Sequence, residues 1–374
     1  MNILKALSST IVTIFFLGCA SPYQLPLMEP NDAVFYGIHP SSTGVNETNL
    51  VMIHGMCHHD KGWVEKTQDR LATNFRMEKS VVDLLYRDTE SSVSTYQAKL
   101  QADIYSINLY GIVYGPSTLP VKREYLCKDV SRESKVCPNI TYNRERASLN
   151  GALKNELLNN CLADAVIYLS DKGQVIREGV KRSLIKIKEN IEERDGSLFF
   201  LSESLGSKVL RDSLLCRPDK KSVEAIKFIA ESRSIYLGAN QIPILNTGNI
   251  NECDMPEKFL GAIDKSGLGM TGGFDDILNL INQNNNFKEF GVNASSETSV
   301  VISFTDPNDL LSYEIADEYG GSKVINVIVS NAKTWFGFLE NPATAHLGYR
   351  ENEGVINLIK CGKNNQNYKK CTLE

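Results

Sequence analysis

Short runs of consecutive apolar residues, separated by segments with helical spacing, dominate the pattern of this 374-residue chain. An uninterrupted apolar run of about four to eight residues is typical of a strand that is buried on both faces of a sheet. Apolar residues at intervals of about three or four positions predict helices that bury one face. Strands are predicted at residues 49–56, 81–86, 198–201, 234–241, 299–304 and 323–329, and helices at 61–75, 164–191, 205–214, 275–281 and 354–359.

The composition fits a large folded core. The chain is 42% hydrophobic and carries a formal net charge of −5. No block rich in lysine or arginine stands out, so a nucleic-acid partner is not expected. The ordinary content of charged residues also argues against disorder.

The N-terminus has the pattern of an export signal. Lys5 precedes an apolar stretch at residues 6–17 that is too short for a permanent membrane span, and Cys19 follows. The segment resembles a bacterial lipoprotein signal, with Phe16 where leucine is usual. This resemblance implies a signal peptide at residues 1–18, lipid on Cys19 and attachment to the cell envelope, at the outer membrane if the cell is Gram-negative. The alternative is an ordinary secretory signal that is cut slightly later.

The cysteine count agrees with export. The chain has nine cysteines, and eight remain if Cys19 carries lipid. An even number is expected where disulfides form. The short loops 127–137 and 361–371 are plausible pairs, and 216 with 253 is a looser pairing.

The stretch around Ser204 has the pattern of a nucleophile elbow. A buried strand ends there, a helix begins at Leu205, and small residues stand two positions before and after the serine, at Ser202 and Gly206. Small neighbours permit the positive φ that pushes a serine hydroxyl out of such a turn. The alternative is an ordinary strand-to-helix turn with Ser204 as the N-cap.

This pattern resembles the Gly-x-Ser-x-Gly motif of the α/β-hydrolase superfamily, with Ser202 in place of the first glycine. The resemblance implies an α/β-hydrolase fold, with a mostly parallel central sheet flanked by helices, over residues 46–374. Residues 19–45 are interpreted as a tether that leads into this domain. The long spacing before the nucleophile strand implies an insertion at about residues 92–165, which forms either a lid or a β-arm.

The same resemblance implies a catalytic triad and an oxyanion hole. His54-Gly55 follows a buried strand, so the backbone amides of Met56 and Leu205 are expected to bind the oxyanion. His346 is the only histidine after Ser204, and it is placed in a loop between the last strand and the last helix. Asp309 is preferred as the acid and Asp306 is the alternative. It is also possible that both aspartates only cap turns.

The leading hypothesis is a lipid-anchored serine hydrolase that cleaves a carboxylic ester without a cofactor. The substrate is expected to be a small-molecule or lipid acyl ester, although thioesterases and acyltransferases use the same triad. One alternative is a non-catalytic surface lipoprotein that keeps the scaffold for binding. Another is a metal-dependent enzyme that uses the cluster His54, Cys57, His58, His59 and Asp60.

Overall fold

The computed structural model describes residues 19–20, 22–142, 144–191, 196–216, 219–247, 299–315, 324–335, 340–363 and 371. The predicted signal peptide and the helix predicted at 275–281 lie outside this part of the chain. No helix in the described ranges is long and apolar enough to cross a lipid bilayer.

The described residues form strands, α-helices, two 3₁₀ turns and a π-helix. The strands are β1 Cys19–Ala20, β2 Leu27–Glu29, β3 Phe35–Tyr36, β4 Glu47–Ile53, β5 Glu78–Lys79, β6 Asp83–Arg87, β7 Ser94–Gln101, β8 Ser106–Val113, β9 Ser197–Glu203, β10 Ser234–Gly238, β11 Val300–Thr305, β12 Val324–Ile328, β13 Thr334–Trp335 and β14 Gly362–Lys363. The α-helices are α1 Pro40–Thr43, α2 Lys61–Phe75, α3 Gly115–Tyr125, α4 Ser148–Ala152, α5 Ala163–Tyr168, α6 Lys172–Ile191, α7 Leu205–Leu215, α8 Lys220–Ala230, α9 Ile242–Asn246, α10 Pro342–Leu347 and α11 Glu353–Cys361. Cys127–Asp129 and Gly348–Arg350 are 3₁₀ turns, and Leu153–Leu162 is a π-helix.

A mostly parallel sheet forms the centre of the molecule. The strands run β2-β12-β11-β10-β9-β4-β8-β7-β5, and β6 also pairs with β7. The six strands from β12 to β8 are parallel to one another. The strands outside them are antiparallel to their neighbours. The mostly parallel central sheet flanked by helices is therefore confirmed.

Strand β4 shows why the apolar runs form this sheet. Its side chains alternate between two hydrophobic layers, with Val51 and Ile53 in one layer and Leu50 and Met52 in the other. The helices α6, α7 and α8 cover the first layer, whereas α2 and α11 cover the second. Because both faces of the sheet are buried here, apolar residues do not alternate with polar ones, and residues 50–53 form one continuous apolar run.

Two boundaries differ from the sequence interpretation. Residues 94–113 of the expected insertion form β7 and β8, and β8 pairs with β4 over its whole length. Only the segment after Val113 leaves the sheet and forms the helices that precede α6. In the expected tether, β2 pairs with β12 at the sheet edge.

Disulfides close two short loops and one long loop of the chain. The expected pairs Cys127–Cys137 and Cys361–Cys371 are present. An additional disulfide, Cys57–Cys161, connects the loop after β4 to the π-helix. Cys216 is also disulfide-bonded. Cys253 lies outside the described residues, so its pairing with Cys216 stays a prediction.

Candidate active site

Ser204 occupies a strained turn between β9 and α7. Its backbone has φ 53° and ψ −125°, which a residue with a side chain rarely adopts. The Ser204 N–H donates to the carbonyl of Gly238 at 2.7 Å and so holds the turn against β10. A β-carbon on Gly206 would lie 2.4 Å from the carbonyl oxygen of His54, so this position requires glycine. The buried Ser202 is accommodated, with its hydroxyl 3.3 Å from that of Ser207.

The Ser204 side chain does not cap helix α7. Instead, its hydroxyl lies 3.0 Å from Nε2 of His346, 142 residues further along the chain. The geometry therefore disagrees with the interpretation of Ser204 as a side-chain N-cap. It brings the hydroxyl within hydrogen-bond reach of a base.

Asp309 fixes the orientation of His346. Both carboxylate oxygens lie 2.9 Å from Nδ1 of the imidazole, and the Asp309 side chain is almost fully buried. Because an ionised carboxylate only accepts hydrogen bonds, Nδ1 carries the proton and Nε2 is left to accept the serine proton. His346 lies in helix α10 instead of the expected loop, because Asn341 caps the helix and Pro342 occupies its first turn.

Asp306, the alternative acid, has a different set of partners. Its carboxylate accepts from the backbone N–H of Asn308 at 2.9 Å and from that of Asn331 at 2.6 Å. Its backbone carbonyl accepts from the N–H of Asp309 at 2.9 Å. Asp306 therefore braces the loop, and Asp309 is the aspartate that meets the histidine.

The loop after β4 lies against the serine. A β-carbon on Gly55 would lie 2.8 Å from Cβ and 3.4 Å from Oγ of Ser204. The next N–H, of Met56, and the first N–H of α7, of Leu205, donate to no protein group in the described ranges. Two unpaired donors beside a nucleophile are what an oxyanion requires.

His54 holds this loop from inside the protein. Its Nδ1 donates to the carbonyl of Gly55 at 2.7 Å, so Nε2 accepts from the backbone N–H groups of Tyr114 and Gly115. Burial lowers its pKa well below the usual value, and the nearby His59 adds to this effect, so His54 stays neutral. The Tyr114 hydroxyl donates to the same Gly55 carbonyl at 2.8 Å. Since the C=O and N–H of one peptide point in opposite directions, these bonds orient the Met56 N–H.

The possible metal cluster at residues 54–60 does not converge. Both ring nitrogens of His54 are occupied, and Cys57 is in a disulfide. His59 donates through Nε2 to the carbonyl of Met56 at 3.0 Å, and its pKa is lowered to about 4, mainly by burial. No group of three potential ligands that could hold a metal ion occurs within the described residues. The geometry gives the metal hypothesis no support.

An ion pair joins the elbow to the segment that carries the base. Arg350 donates to the carboxylate of Glu203 through Nε at 2.6 Å and through Nη2. Glu203 immediately precedes the nucleophile, and Arg350 lies four residues after the base. The sequence interpretation gave no role to Glu203, Arg350 or Tyr114. No motif marks these residues, and their roles become visible only when the fold brings them close to the site.

No protein-family model, curated protein or solved structure matches this chain.

Proposed function

We propose that this chain is a serine hydrolase of the α/β-hydrolase type that cleaves a carboxylic ester. The observation that carries the proposal is the continuous hydrogen-bonded path from Ser204 through His346 to Asp309. The three residues follow β9, β11 and β12 in the chain order nucleophile, acid, histidine, which is the order of the superfamily. The positive φ of the serine and the two free amides support the same reading.

The mechanism follows from these positions. His346 Nε2 takes the proton from the Ser204 hydroxyl while Oγ attacks the ester carbonyl carbon. The N–H groups of Met56 and Leu205 stabilise the negative oxygen of the tetrahedral intermediate. His346 then gives its proton to the leaving alcohol, and an acyl-enzyme remains. Water, deprotonated by His346, attacks the acyl group, and His346 returns that proton to Ser204 Oγ as the bond from Oγ to the acyl carbon breaks and the acid leaves. Asp309 stays ionised and stabilises the imidazolium throughout.

The proposal includes attachment to the cell envelope through lipid on Cys19. It rests on the apolar stretch at residues 6–17 and the cysteine that follows it. Labelling of growing cells with a tagged palmitate should reach the wild-type chain and spare the Cys19→Ser variant. Equal labelling of both proteins would remove the anchor from the proposal. The esterase proposal does not depend on it.

A fluorophosphonate probe tests the catalytic part directly. The probe reacts with an activated serine, so it should label the wild-type chain once and leave Ser204→Ala unlabelled. Ser213→Ala is a matched control, because this buried serine donates only to the carbonyl of Val209, one helical turn before it. The control should label like the wild type. If folded wild-type protein resists the probe and hydrolyses no p-nitrophenyl ester, the non-catalytic scaffold is the better reading.

A further inference from the structure

The hydroxyl of Tyr349 lies at the centre of the acid loop. It is 3.1 Å from Oδ2 of Asp309, 2.7 Å from the backbone N of Asp306 and 3.0 Å from the hydroxyl of Ser312. Tyr349 follows His346 by three residues, and its ring packs in the core beneath the sheet. The base and this hydroxyl therefore come from one short segment of the chain.

The partners leave one arrangement of the hydroxyl proton. A phenol has one proton to donate, and its oxygen can accept two hydrogen bonds. The Asp306 N–H can only donate, and the ionised Asp309 carboxylate can only accept. The proton therefore points to Asp309, and the oxygen accepts from Asp306 and Ser312. Burial and the charge of Asp309 raise the pKa of Tyr349 well above its usual value, so the proton stays in place.

Asp309 then receives donors on both oxygens. The Leu311 N–H donates to Oδ1 at 3.0 Å, and the Tyr349 hydroxyl donates to Oδ2. The imidazole Nδ1 lies between the two oxygens, at 2.9 Å from each. One donor on each oxygen balances the carboxylate around the histidine.

We infer that Tyr349 is a positioning residue that sets the orientation and the basicity of the catalytic histidine through Asp309. The inference rests on the proposed function. Without the phenol proton, Oδ2 carries more negative charge, and His346 is its one remaining donor among the residues that the structure describes. The imidazole then binds Oδ2 more strongly, moves off centre, and holds its own proton more tightly.

Tyr349→Phe removes only the hydroxyl. At pH values where the histidine is neutral, loss of this hydrogen bond to a charged group is expected to lower kcat by about tenfold. The imidazole is expected to keep its proton to a higher pH than in the wild type. The acid limb of the profile of kcat/KM against pH should therefore move to higher pH. An NMR titration of the His346 ring, assigned with His346→Gln, measures the pKa directly.

Tyr168→Phe is the matched control. Tyr168 is also buried and donates to a carboxylate, Asp212 Oδ2, at 2.9 Å, but neither residue belongs to the triad. Both variants should lose thermal stability to a similar extent. Only Tyr349→Phe should change the titration of His346. If the two variants have the same His346 pKa and the same pH profile as the wild type, Tyr349 only supports the fold and the inference is wrong.

A second variant covers the case in which Tyr349→Phe does not fold. Placing 3-fluorotyrosine at position 349 keeps the shape and makes the phenol a stronger donor, so the His346 pKa should fall. A pKa that is unchanged or higher would contradict the inference. The titration requires no turnover, so it tests the positioning role of Tyr349 even if the wild-type chain proves inactive. Absence of esterase activity would instead count against the proposed function.

Discussion

The two small residues around Ser204 are not equivalent. The side chain of Ser202 points into the protein and reaches the hydroxyl of Ser207, so a serine fits where the Gly-x-Ser-x-Gly motif has its first glycine. Gly206 faces the loop after β4, and a side chain there would collide with backbone oxygens of Ile53 and His54. Backbone atoms cannot rotate away as a side-chain end can. The elbow therefore depends on its second glycine and tolerates the loss of its first.

Gly206→Ala should lower both stability and activity. The added methyl group must displace the His54 carbonyl, and overpacking of this kind costs about 1–3 kcal/mol. The shift would also move the Met56 and Leu205 amides, and displacements of about 1 Å at reacting groups can cost about 100-fold in rate. We therefore expect a fall in kcat of at least about tenfold. Chemical denaturation and p-nitrophenyl ester hydrolysis measure the two effects.

Gly151→Ala is the control for this substitution. Gly151 is also a helical glycine, but the nearest atom to an added β-carbon is 3.5 Å away, which is an ordinary contact. Alanine also favours the helical backbone, so this variant should be at least as stable as the wild type and fully active. A Gly206→Ala enzyme with wild-type kcat would show that the contact with His54 does not position the site.

The sequence supports the choice of Ser204 and His346 better than the choice of acid. Ser204 has a strand, small neighbours and a helix around it, and His346 has no competitor after Ser204. Asp306 and Asp309 share one short loop after β11, so both lie between the same two strands, and the order of elements along the chain does not favour either one. Only the direction of each side chain separates them, and that depends on long-range contacts with Asn331 and His346.

At the scale of elements, the loop after β4 depends on the segment that follows β8. The disulfide Cys57–Cys161 joins the residue after Met56 to the π-helix. Beside it, the N–H of His58 donates to the side chain of Asn160 at 3.3 Å. Lys122 of α3 donates to the Asn160 carbonyl at 2.6 Å. The free amide of Met56 is thus held by contacts that come from far along the chain.

The double variant Cys57→Ser with Cys161→Ser should weaken this support. The disulfide spans 104 residues, and opening a loop of that length costs about 4–5 kcal/mol in the chain-entropy description. Since Cys57 adjoins the Met56 amide that is proposed to bind the oxyanion, kcat should also fall, by about tenfold or more. Thermal unfolding and ester hydrolysis under non-reducing conditions test both effects.

The disulfide Cys127–Cys137 offers the comparison. It closes a loop of only 10 residues within the same insertion. Its double serine variant should lose less stability and keep the wild-type kcat. Equal losses of activity in both double variants would mean that the insertion acts only through overall stability.

Sequence patterns located the central strands but did not show that residues 94–113 join the same sheet. β9 and β10 are buried at nearly every position, and they read as continuous apolar runs. The alternating apolar residues at 104–114 belong to β8, whose positions are all buried because it lies between β4 and β7. That alternation resembles an independent β-arm when the partner strand is unknown. Only pairing with β4 shows that β8 belongs to the centre.

At the scale of the whole molecule, a buried carboxyl links stability to pH. Glu340 lies just before helix α10 and is only 4% exposed. It accepts a hydrogen bond from the Asn308 side chain at 2.8 Å, while its other oxygen has no hydrogen-bond partner within the described part of the chain. Burial, together with the charge of Asp306, raises its pKa from 4.5 to about 7, although the backbone N–H of Ala332 opposes the rise. The folded chain therefore binds a proton that the unfolded chain has already lost.

The sign of the resulting pH dependence is fixed by this difference. Between pH 4.5 and about 7 the folded state binds more protons at Glu340 than the unfolded state, so the free energy of unfolding must fall as the pH rises. The contribution is up to about 3 kcal/mol and is lost above about pH 7. Glu340→Gln removes the titration. The variant should equal the wild type near pH 4 and exceed it in stability near pH 8, as measured by denaturant unfolding.

The effect of Glu340 must be separated from the effect of removing any other carboxyl group, so a control variant is needed. Glu124→Gln makes the same chemical change at an exposed position and should leave the pH dependence unchanged. Glu340 and Asp306 lie on the two segments that carry His346 and Asp309. Above about pH 7, the two negative carboxylates of the wild type therefore repel each other between these segments. A Glu340→Gln curve parallel to that of the wild type across this range would show that Glu340 is ionised in the folded protein and that its neighbours compensate its charge.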